Sequence, residues 1–436
     1  MLALLLALAQ DGRVAVGEER WSALRLTVSG RVQLHHDYRS SEINEAEAFF
    51  AGLPGSADAT DAWSGRFSLR VEAEVKDRVL GVIELENRSY DEGVNRPSAS
   101  DPETDDVDIK QGYIEVPDFF LDGLRMRIGV QDVAFRTRPH DESFFLDLGE
   151  VESFFGGFDA AGRRIANSVD RDVLEAAGMS LLWTPYPVLS VTGFAVVYDE
   201  NGASVDDELV YGLLASARVA EGVAVWAMAL MVSGGEPDLG RIWTFGAGAN
   251  AYAGDGRWLE LFAELYGQGG KLIDNVRKSA FAFNAGARAL FGRAWLEAGA
   301  SLRTGDKDAG DDSDEAFQSF ENENRFLGLQ SAEFGLDVDT NVLLVRAAAG
   351  AGPFDLDGHP LRLRLDVGRF EADEPVVADE TDWGVEVDLA ADLEWNESLA
   401  FQVKFAWLGA SDLLERFTPG GDDHGLLFLA TADLRF

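Results

Sequence analysis

The sequence contains no cysteine among its 436 residues. This absence excludes a disulfide framework, a thiolate metal site and a cysteine nucleophile. Basic residues are also scarce, because 37 Lys and Arg stand against 77 Asp and Glu and give a formal net charge of −40. A charge of this sign and size argues against nucleic acid or an anionic lipid surface as the main partner, since both would repel the chain.

The chain also lacks a long hydrophobic run. The longest uncharged apolar stretch, Met1 to Ala9, falls short of the ~20 residues that a membrane-spanning helix needs. It ends in Ala7-Leu8-Ala9, a pattern of small residues that is typical of an export cleavage site, although the usual positive start is missing. We predict a truncated signal peptide at 1–9 and a periplasmic segment at 10–22; the alternative is a frayed apolar N-terminus.

Alternation with a period of two is abundant. Between Trp63 and Lys76 every second residue is Gly or apolar, and the residues between them are Ser, Arg, Glu or Lys. Such segments predict strands with one apolar and one polar face. About eighteen can be placed, near residues 23–38, 63–76, 79–90, 107–116, 124–133, 173–184, 188–198, 208–219, 222–233, 242–253, 257–268, 279–291, 294–304, 337–349, 361–370, 382–395, 399–409 and 425–436.

The connections between these segments are predicted to alternate strictly between short and long. Short turns such as Gly254-Asp255-Gly256 lie at one rim, and long loops such as 39–62 and 134–172 lie at the other. This pattern, with an even number of ~10-residue strands, is typical of an outer-membrane barrel. Since hydrocarbon leaves no partner for an unpaired backbone group, the barrel must close. We therefore predict an all-β, antiparallel up-and-down transmembrane barrel over 23–436, with periplasmic turns and extracellular loops.

Aromatic residues support a membrane placement, because Trp and Tyr gather at both membrane–water interfaces of such barrels. The alternative is ordinary strand-end aromatics in a soluble β protein. Those beside short turns are Trp183, Tyr186, Trp258 and Trp395, and those toward long loops are Trp63, Trp243, Trp383 and Trp407.

The polar face of the predicted strands carries many arginines and nearly as many acids. Stacked guanidinium groups could attract anionic solutes along a polar bore. Alternatively, Arg and Glu on neighbouring strands pair across the wall and give a braced, weakly selective lumen, which is the interpretation we favour. The arginines predicted to line the lumen and set its selectivity are Arg66, Arg70, Arg125, Arg127, Arg303, Arg362 and Arg364.

The longest loop, 134–172, repeats the motif Glu-Ser-Phe-Phe. We predict that this loop folds inward and narrows the pore, with its phenylalanines on the inner wall. An external hairpin with its own small apolar cluster is an equally good interpretation. The phenylalanines concerned are Phe144, Phe145, Phe154 and Phe155.

A second loop is strongly acidic between Asp306 and Glu315. Asp306, Asp308, Asp311 and Asp312 are candidate ligands for Ca²⁺, but their order departs from that of an EF-hand loop. A solvated acidic loop is the interpretation we favour, and no other cofactor is predicted.

Catalysis is not expected. The run His140-Asp141-Glu142-Ser143 holds the residue types of a hydrolase, but triads are assembled from distant segments of a chain. The sequence also contains no phosphate-binding loop, zinc motif or dinucleotide fingerprint.

Several stretches resemble the alginate-export family of outer-membrane porins. They are Gln111-Gly-Tyr-Ile-Glu115, Leu124-Arg-Met-Arg-Ile-Gly-Val-Gln-Asp132, Arg303-Thr-Gly-Asp-Lys-Asp308 and Trp383-Gly-Val-Glu-Val-Asp-Leu389, and their order along the chain matches. The resemblance implies an eighteen-stranded, monomeric barrel and a passive pore for an anionic polyuronate or another solute. It implies that Arg125, Arg127 and Arg303 line the lumen.

The sequence thus predicts a porin in the outer membrane of a Gram-negative-type bacterium. Small hydrophilic or anionic solutes, including uronate-type saccharides, would cross it by passive diffusion. Its other partners would be outer-membrane lipid and lipopolysaccharide, and a trimer is the alternative to a monomer. The alternative functions are a structural or adhesive barrel whose acidic loops bind cations, and a barrel hydrolase.

Overall fold

A computed structural model describes most of the strands and part of the connections between them. The described residues are 24–40, 59–75, 78–89, 107–131, 177–199, 208–233, 239–253, 258–273, 276–307, 311–318, 341–375, 380–409 and 424–436.

Eighteen long strands and one strand of two residues make up the regular structure. The strands are β1 (Leu24–Arg39), β2 (Thr60–Val75), β3 (Val79–Ser89), β4 (Val107–Val116), β5 (Leu124–Val130), β6 (Ala177–Tyr186), β7 (Leu189–Asp199), β8 (Glu208–Ala220), β9 (Val223–Ser233), β10 (Leu239–Ala253), β11 (Leu259–Ile273), β12 (Val276–Phe291), β13 (Ala294–Arg303), β14 (Ser313–Asp314), β15 (Val342–Leu356), β16 (His359–Glu371), β17 (Asp382–Glu394), β18 (Leu399–Gly409) and β19 (Gly425–Arg435).

These strands form one closed antiparallel barrel. Each long strand pairs with its neighbours in sequence, β13 pairs with β15, and β1 pairs with both β2 and β19. The two-residue β14 lies apart from this ring and pairs in parallel with the start of β12. The described residues include no helix of the length and apolarity that crossing a bilayer would require. The predicted all-β barrel of eighteen strands is confirmed.

The period-two pattern separates the two faces of the wall. On β10, Trp243 and Phe245 are exposed on the outside, whereas Ile242 and Thr244 are buried inside. Most large outward side chains are apolar, and most buried polar side chains, such as Glu260 on β11, face inward. Since side chains alternate strictly along a strand, a slip of one residue would exchange these faces. The register is therefore specified by hydrophobicity as well as by hydrogen bonds.

The barrel closes where β1 meets the C-terminal strand. The Gly30 N–H donates to the Phe436 carbonyl at 2.9 Å, and the Phe436 N–H donates to the Gly30 carbonyl at 3.0 Å. A Cβ added at Gly30 would lie 2.8 Å from the backbone oxygen of Ser68 and closer still to the Phe436 ring. Gly30 therefore lets the last aromatic ring lie against the seam.

The connections at the two rims alternate in length less regularly than the sequence predicts. At the rim with long loops, residues 234–238 are enough to join β9 to β10, and residues 274–275 join β11 to β12. The predicted strict alternation is wrong here, because β11 and β12 extend to Ile273 and Val276 and use up residues that the sequence pattern assigned to a loop. The connections at the long-loop rim are therefore short over β9–β12.

Seven of the eight predicted interfacial aromatics are exposed on the barrel, and Trp383 is the exception. Trp383 is 4% exposed and stacks on the inward ring of Phe370, with centroids 6.1 Å apart. A register shift between Phe370 and Glu371, opposite Gly384 with φ of 98°, breaks the alternation just at this point. The bulge turns Trp383 inward, which corrects its predicted place at the outer interface. The exposed seven are Trp63, Trp183, Tyr186, Trp243, Trp258, Trp395 and Trp407.

The seam provides a test of closure. We expect Gly30→Val to lower the free energy of unfolding by about 1–3 kcal/mol, because the added side chain meets the Ser68 carbonyl and the Phe436 ring. Urea unfolding of the purified barrel would measure the change. Gly81→Val is the matched control, since a Cβ there meets its nearest atom at 3.9 Å. Equal stability of the two variants would contradict this account of the seam.

Candidate functional site

The inner wall of the barrel is the candidate site, and it has two chemically different parts. Cations and carboxylates face inward from β1–β5 and from β13, β15–β19, and we call these side chains the charged sector. A second group, the apolar sector, consists of Phe194, Val196, Val210, Trp226, Met228, Leu230, Val232 and Ile242 on β7–β10, all buried together in one cluster.

The first ion pairs of the charged sector join β2, β3 and β4. Arg66 donates from Nε to Oε1 of Glu86 at 2.6 Å, and Lys110 donates to the other carboxylate oxygen at 2.9 Å. Glu86 is 2% exposed. A carboxylate this deeply buried needs charged donors, and here two cations on opposite sides supply them.

Arg70 is the centre of the largest network. Its guanidinium donates to Glu72 at 2.8 Å and to Glu84 at 2.9 Å, and also to Gln111 at 3.0 Å and to the Tyr113 hydroxyl at 3.2 Å. One planar group therefore links β2, β3 and β4. The five donors of a guanidinium allow this, whereas a lysine could not bridge so many acceptors in one plane.

Arg127 and Arg125 continue the charged sector onto β5. Arg127 donates to Glu115 at 2.9 Å and lies 4.1 Å from the centroid of the Tyr113 ring. Arg125 approaches the same carboxylate at 3.8 Å and keeps about half of its side chain exposed. Both arginines face the lumen because β5 pairs with β4 in the register Glu115↔Arg127.

The remaining predicted arginines lie on the opposite part of the ring. Arg364 donates two hydrogen bonds, of 2.6 and 2.8 Å, to Asp366, and Arg362 pairs with Glu394. Arg303 is 2% exposed at the end of β13. Arg362 and Arg364 lie in the inward rows as predicted, and Arg303 is buried at the long-loop rim.

At least six of the seven predicted arginines thus pair with a carboxylate on their own or the next strand. This is the arrangement that the bracing interpretation predicts, and it leaves the inner wall mixed in sign. The effect on selectivity stays a prediction. Sequence reasoning missed further pairs, including Arg346 with Glu297 at 2.7 Å and Lys404 with Asp388 at 3.0 Å, because their partners are defined only by cross-strand register.

The described part of the loop after β13 enters the barrel, which the sequence did not predict. Phe317 is 1% exposed and packs beside Tyr266 at a centroid distance of 6.3 Å. Gln318 exchanges two hydrogen bonds with the inward side chain of Gln268, at 2.7 and 3.0 Å. Residues 311–318 are here called the inward segment; its end, Phe317 and Gln318, lines the lumen, whereas Asp311 and Asp312 at its start are exposed. A phenylalanine directly after an acidic run was the available signal, but no periodicity marks it.

Electrostatics at the inward segment are unusual for so acidic a loop. Asp314 accepts a hydrogen bond from Lys278 at 2.9 Å, and the Lys278 side chain is fully buried. Burial, the nearby Asp314 carboxylate and a hydrogen bond with Glu315 raise the pKa of Asp306 to about 6. Asp306 therefore takes up a proton more readily than an ordinary aspartate does.

The candidate calcium ligands are not brought together. Asp311 accepts a hydrogen bond from the N–H of Ser313 at 2.6 Å, and Asp312 lies 3.6 Å from Arg277. Among the described residues no group of three or more possible ligands could hold a metal ion. Asp308 lies outside the described residues, so calcium binding by this loop stays a prediction.

The other predicted loop elements also lie outside the described residues. They are the signal peptide at 1–9, the segment 10–22, the loop 134–172 with Phe144, Phe145, Phe154 and Phe155, and the run His140-Asp141-Glu142-Ser143.

Comparison with known proteins identifies the architecture. No family model and no curated protein matches the chain. Solved structures do: the outer-membrane protein OpdK of Pseudomonas aeruginosa matches with a TM-score of 0.52 at 12% identity, over 94% of this chain and 99% of that one. OpdO and OccK11 (OpdR) of the same organism match with TM-scores of 0.55 and 0.53 at 14% and 10% identity, each over 94% of this chain and over 97% and 96% of theirs.

The chain therefore has the fold of these outer-membrane barrels. Identities this low carry the fold alone. The resemblance to the alginate-export family stays a prediction.

Protonation of Asp306 should control how firmly the inward segment docks. Docking raises the pKa of Asp306 from 3.8 to about 6. The stability that protonation of Asp306 gives to the docked segment is therefore complete below pH 3.8 and is lost as the pH rises through about 6. Hydrogen exchange of the 311–318 peptide, corrected for the intrinsic rate, should be faster at pH 8 than at pH 5, by at most roughly tenfold, and by less because solvent screens this partly exposed carboxylate.

Asp306→Asn should abolish this pH dependence and keep the segment protected at both pH values. Asp312→Asn is the matched control and should retain it, because Asp312 is exposed and is not among the groups that raise the pKa of Asp306. A pH dependence that survives in Asp306→Asn would assign the effect to another group.

Proposed function

We propose that this protein is an outer-membrane pore through which small hydrophilic solutes, anionic ones in particular, diffuse passively. The observation that carries the proposal is the row of arginines along the inside of a closed barrel. Arg66, Arg70, Arg125, Arg127, Arg362 and Arg364 each have a carboxylate partner and yet keep part of the side chain exposed, whereas Arg303 is buried.

The outer surface supports the membrane placement. Large apolar side chains such as Leu265, Val345 and Leu389 are about half exposed on the outside, where only hydrocarbon would cover them without cost. Aromatic residues near both rims fit the two interfacial girdles of such barrels. The barrel closes on itself, so no strand edge is left unpaired in the lipid.

A solute can move along the charged sector by binding to one arginine after another. Arg70, Arg127 and Arg364 have side chains 27–30% exposed, so part of each guanidinium remains open to a carboxylate in the lumen. Each arginine already has a partner, and a passing anion therefore exchanges with it instead of meeting a bare charge. Such exchange keeps binding weak, which a diffusion pore requires.

The apolar sector favours solutes that carry an apolar surface as well as polar groups. Counting round the ring, β7–β10 lie nine strands from β17–β19 and β1, so an apolar wall faces a charged one. One of the similar structures is OpdK of Pseudomonas aeruginosa with vanillate, a carboxylate with an aromatic ring. Uronate-type saccharides also carry a carboxylate beside a ring with C–H faces. We propose small ring-bearing carboxylates as the solute class.

The proposal includes no catalytic step, because a diffusion pore needs none. It places the protein in the outer membrane of a Gram-negative-type bacterium, surrounded by lipid and lipopolysaccharide. A monomer is the simplest assembly, and a trimer is the alternative.

Ion selectivity in planar bilayers tests the charged sector. Arg70→Gln leaves Glu72 and Glu84 without their guanidinium and should shift the reversal potential toward cations, whereas Glu84→Gln should shift it toward anions. We expect changes of roughly twofold in the permeability ratio in opposite directions, since one charge in a mixed wall is altered.

The two variants are matched controls for each other, because they alter partners in one ion pair. Shifts in the same direction would show that the pair acts by bracing the wall alone. Absence of conductance in the wild-type protein would remove the diffusion pore and favour a barrel with a structural role.

A further inference from the structure

Three basic residues form a row on the outer face of the barrel near the long-loop rim. In the registers of β10–β12, Arg241 lies opposite Lys271, and Lys271 lies opposite Arg277. All three are exposed. Directly paired residues on neighbouring strands have Cβ atoms about 5 Å apart, so the row spans roughly 10 Å.

An apolar groove lies next to this row on the side of the membrane band. The rings of Trp243 and Phe245 stack with centroids 6.0 Å apart and planes within 6°. Beside them on β11, Gly267 and Gly269 have no side chains, and the space left open is about 490 Å³. The groove is wide enough for a hydrocarbon chain and has few polar groups to offer any other ligand.

This row of three cations is unusual on a protein whose net charge is −40. Arg277 lies 3.6 Å from Asp312, and about three quarters of each side chain is exposed. Surface ion pairs of this kind contribute little to stability, so Arg277 can readily exchange Asp312 for a better anion. Three cations in register on so acidic a chain therefore mark a local site for negative charge.

The height of the row fits the headgroup level of a membrane. On β11 the outward residues run from Leu259 to Gly269, ten residue steps apart, which for a tilted strand is about 25 Å, the height of the apolar band. Lys271 lies just beyond this band. All three side chains are exposed, so a lipid headgroup can reach the row.

We propose that this row and groove bind one phosphorylated glycolipid of the lipopolysaccharide type from the surrounding leaflet. Arg241, Lys271 and Arg277 hold its phosphates, and the groove beside Trp243 holds one of its acyl chains. Lipid A carries phosphates on a rigid sugar pair above several chains, which matches a fixed row of cations above a fixed groove. This inference rests on the proposed outer-membrane function and names a lipid partner for its outer wall.

Native mass spectrometry of the detergent-purified full chain, titrated with bisphosphorylated hexa-acyl lipid A, tests the row. The double variant Arg241→Gln/Lys271→Gln should bind roughly thirtyfold more weakly, because each cation near a membrane surface contributes about a fivefold factor. The matched control is Arg78→Gln/Arg293→Gln, which removes two exposed cations near the short-turn rim and should bind as the wild type does.

The groove is tested separately by Gly267→Leu. A Cβ at Gly267 meets no atom within 4 Å, so the leucine fills the groove without straining the wall. Lipid A binding should fall while the three cations remain in place. Gly81→Leu on the outer face of β3 is the control and should leave binding unchanged.

Wild-type affinity in the double variant would overturn the proposal. So would equal binding of phosphatidylethanolamine or phosphatidylglycerol by the wild type, since either result would make the site one for lipid in general. Conductance of the same variants keeps the two proposals apart. Normal conductance with unchanged lipid A binding removes the lipid site alone, whereas a wild type without conductance removes the pore.

Discussion

Closure of the backbone hydrogen-bond ring is the constraint on which the rest of this structure depends. Eighteen strands pair in sequence, and β1 joins β19 so that neither strand leaves an open edge. In a membrane an open edge would carry a row of unsatisfied N–H and C=O groups at several kcal/mol each. The small residue Gly30 at the seam, with Phe436 packed against it, is the local consequence of that requirement.

Closure also decides the chemistry of the interior. Because one face of every strand must be apolar where it meets lipid, the polar side chains lie on the other face. There they shield one another from solvent. Carboxylates such as Glu86 and Glu297 then need cations within hydrogen-bond distance, and Arg66 and Arg346 supply them. Removing one partner of a buried pair leaves an uncompensated charge, so the same groups that can guide a solute also hold the wall together.

The features that reshape the two faces of the wall lie where the regular pattern is interrupted. The bulge near Gly384 turns Trp383 into the barrel, and the inward segment brings Phe317 onto the wall beside Tyr266. On the outside, Gly267 and Gly269 interrupt a row of larger side chains and open the groove next to Trp243. Each interruption changes the shape of one face and leaves the pairing of the ring intact, because bulges and glycines alter side chains more than they alter hydrogen bonds.

The sequence by itself determined the strands, their number and the face to which most side chains belong, because alternation is a local property of the chain. Arg70 and Arg127 could be assigned to the lumen on that basis. Their partners could not, since Glu84 and Glu115 meet them only through cross-strand register. The same holds for Trp383, for Phe317 and for the row of Arg241, Lys271 and Arg277. Only the tertiary structure decided these neighbours, because pairing brings together residues whose separation along the chain leaves no periodic signal.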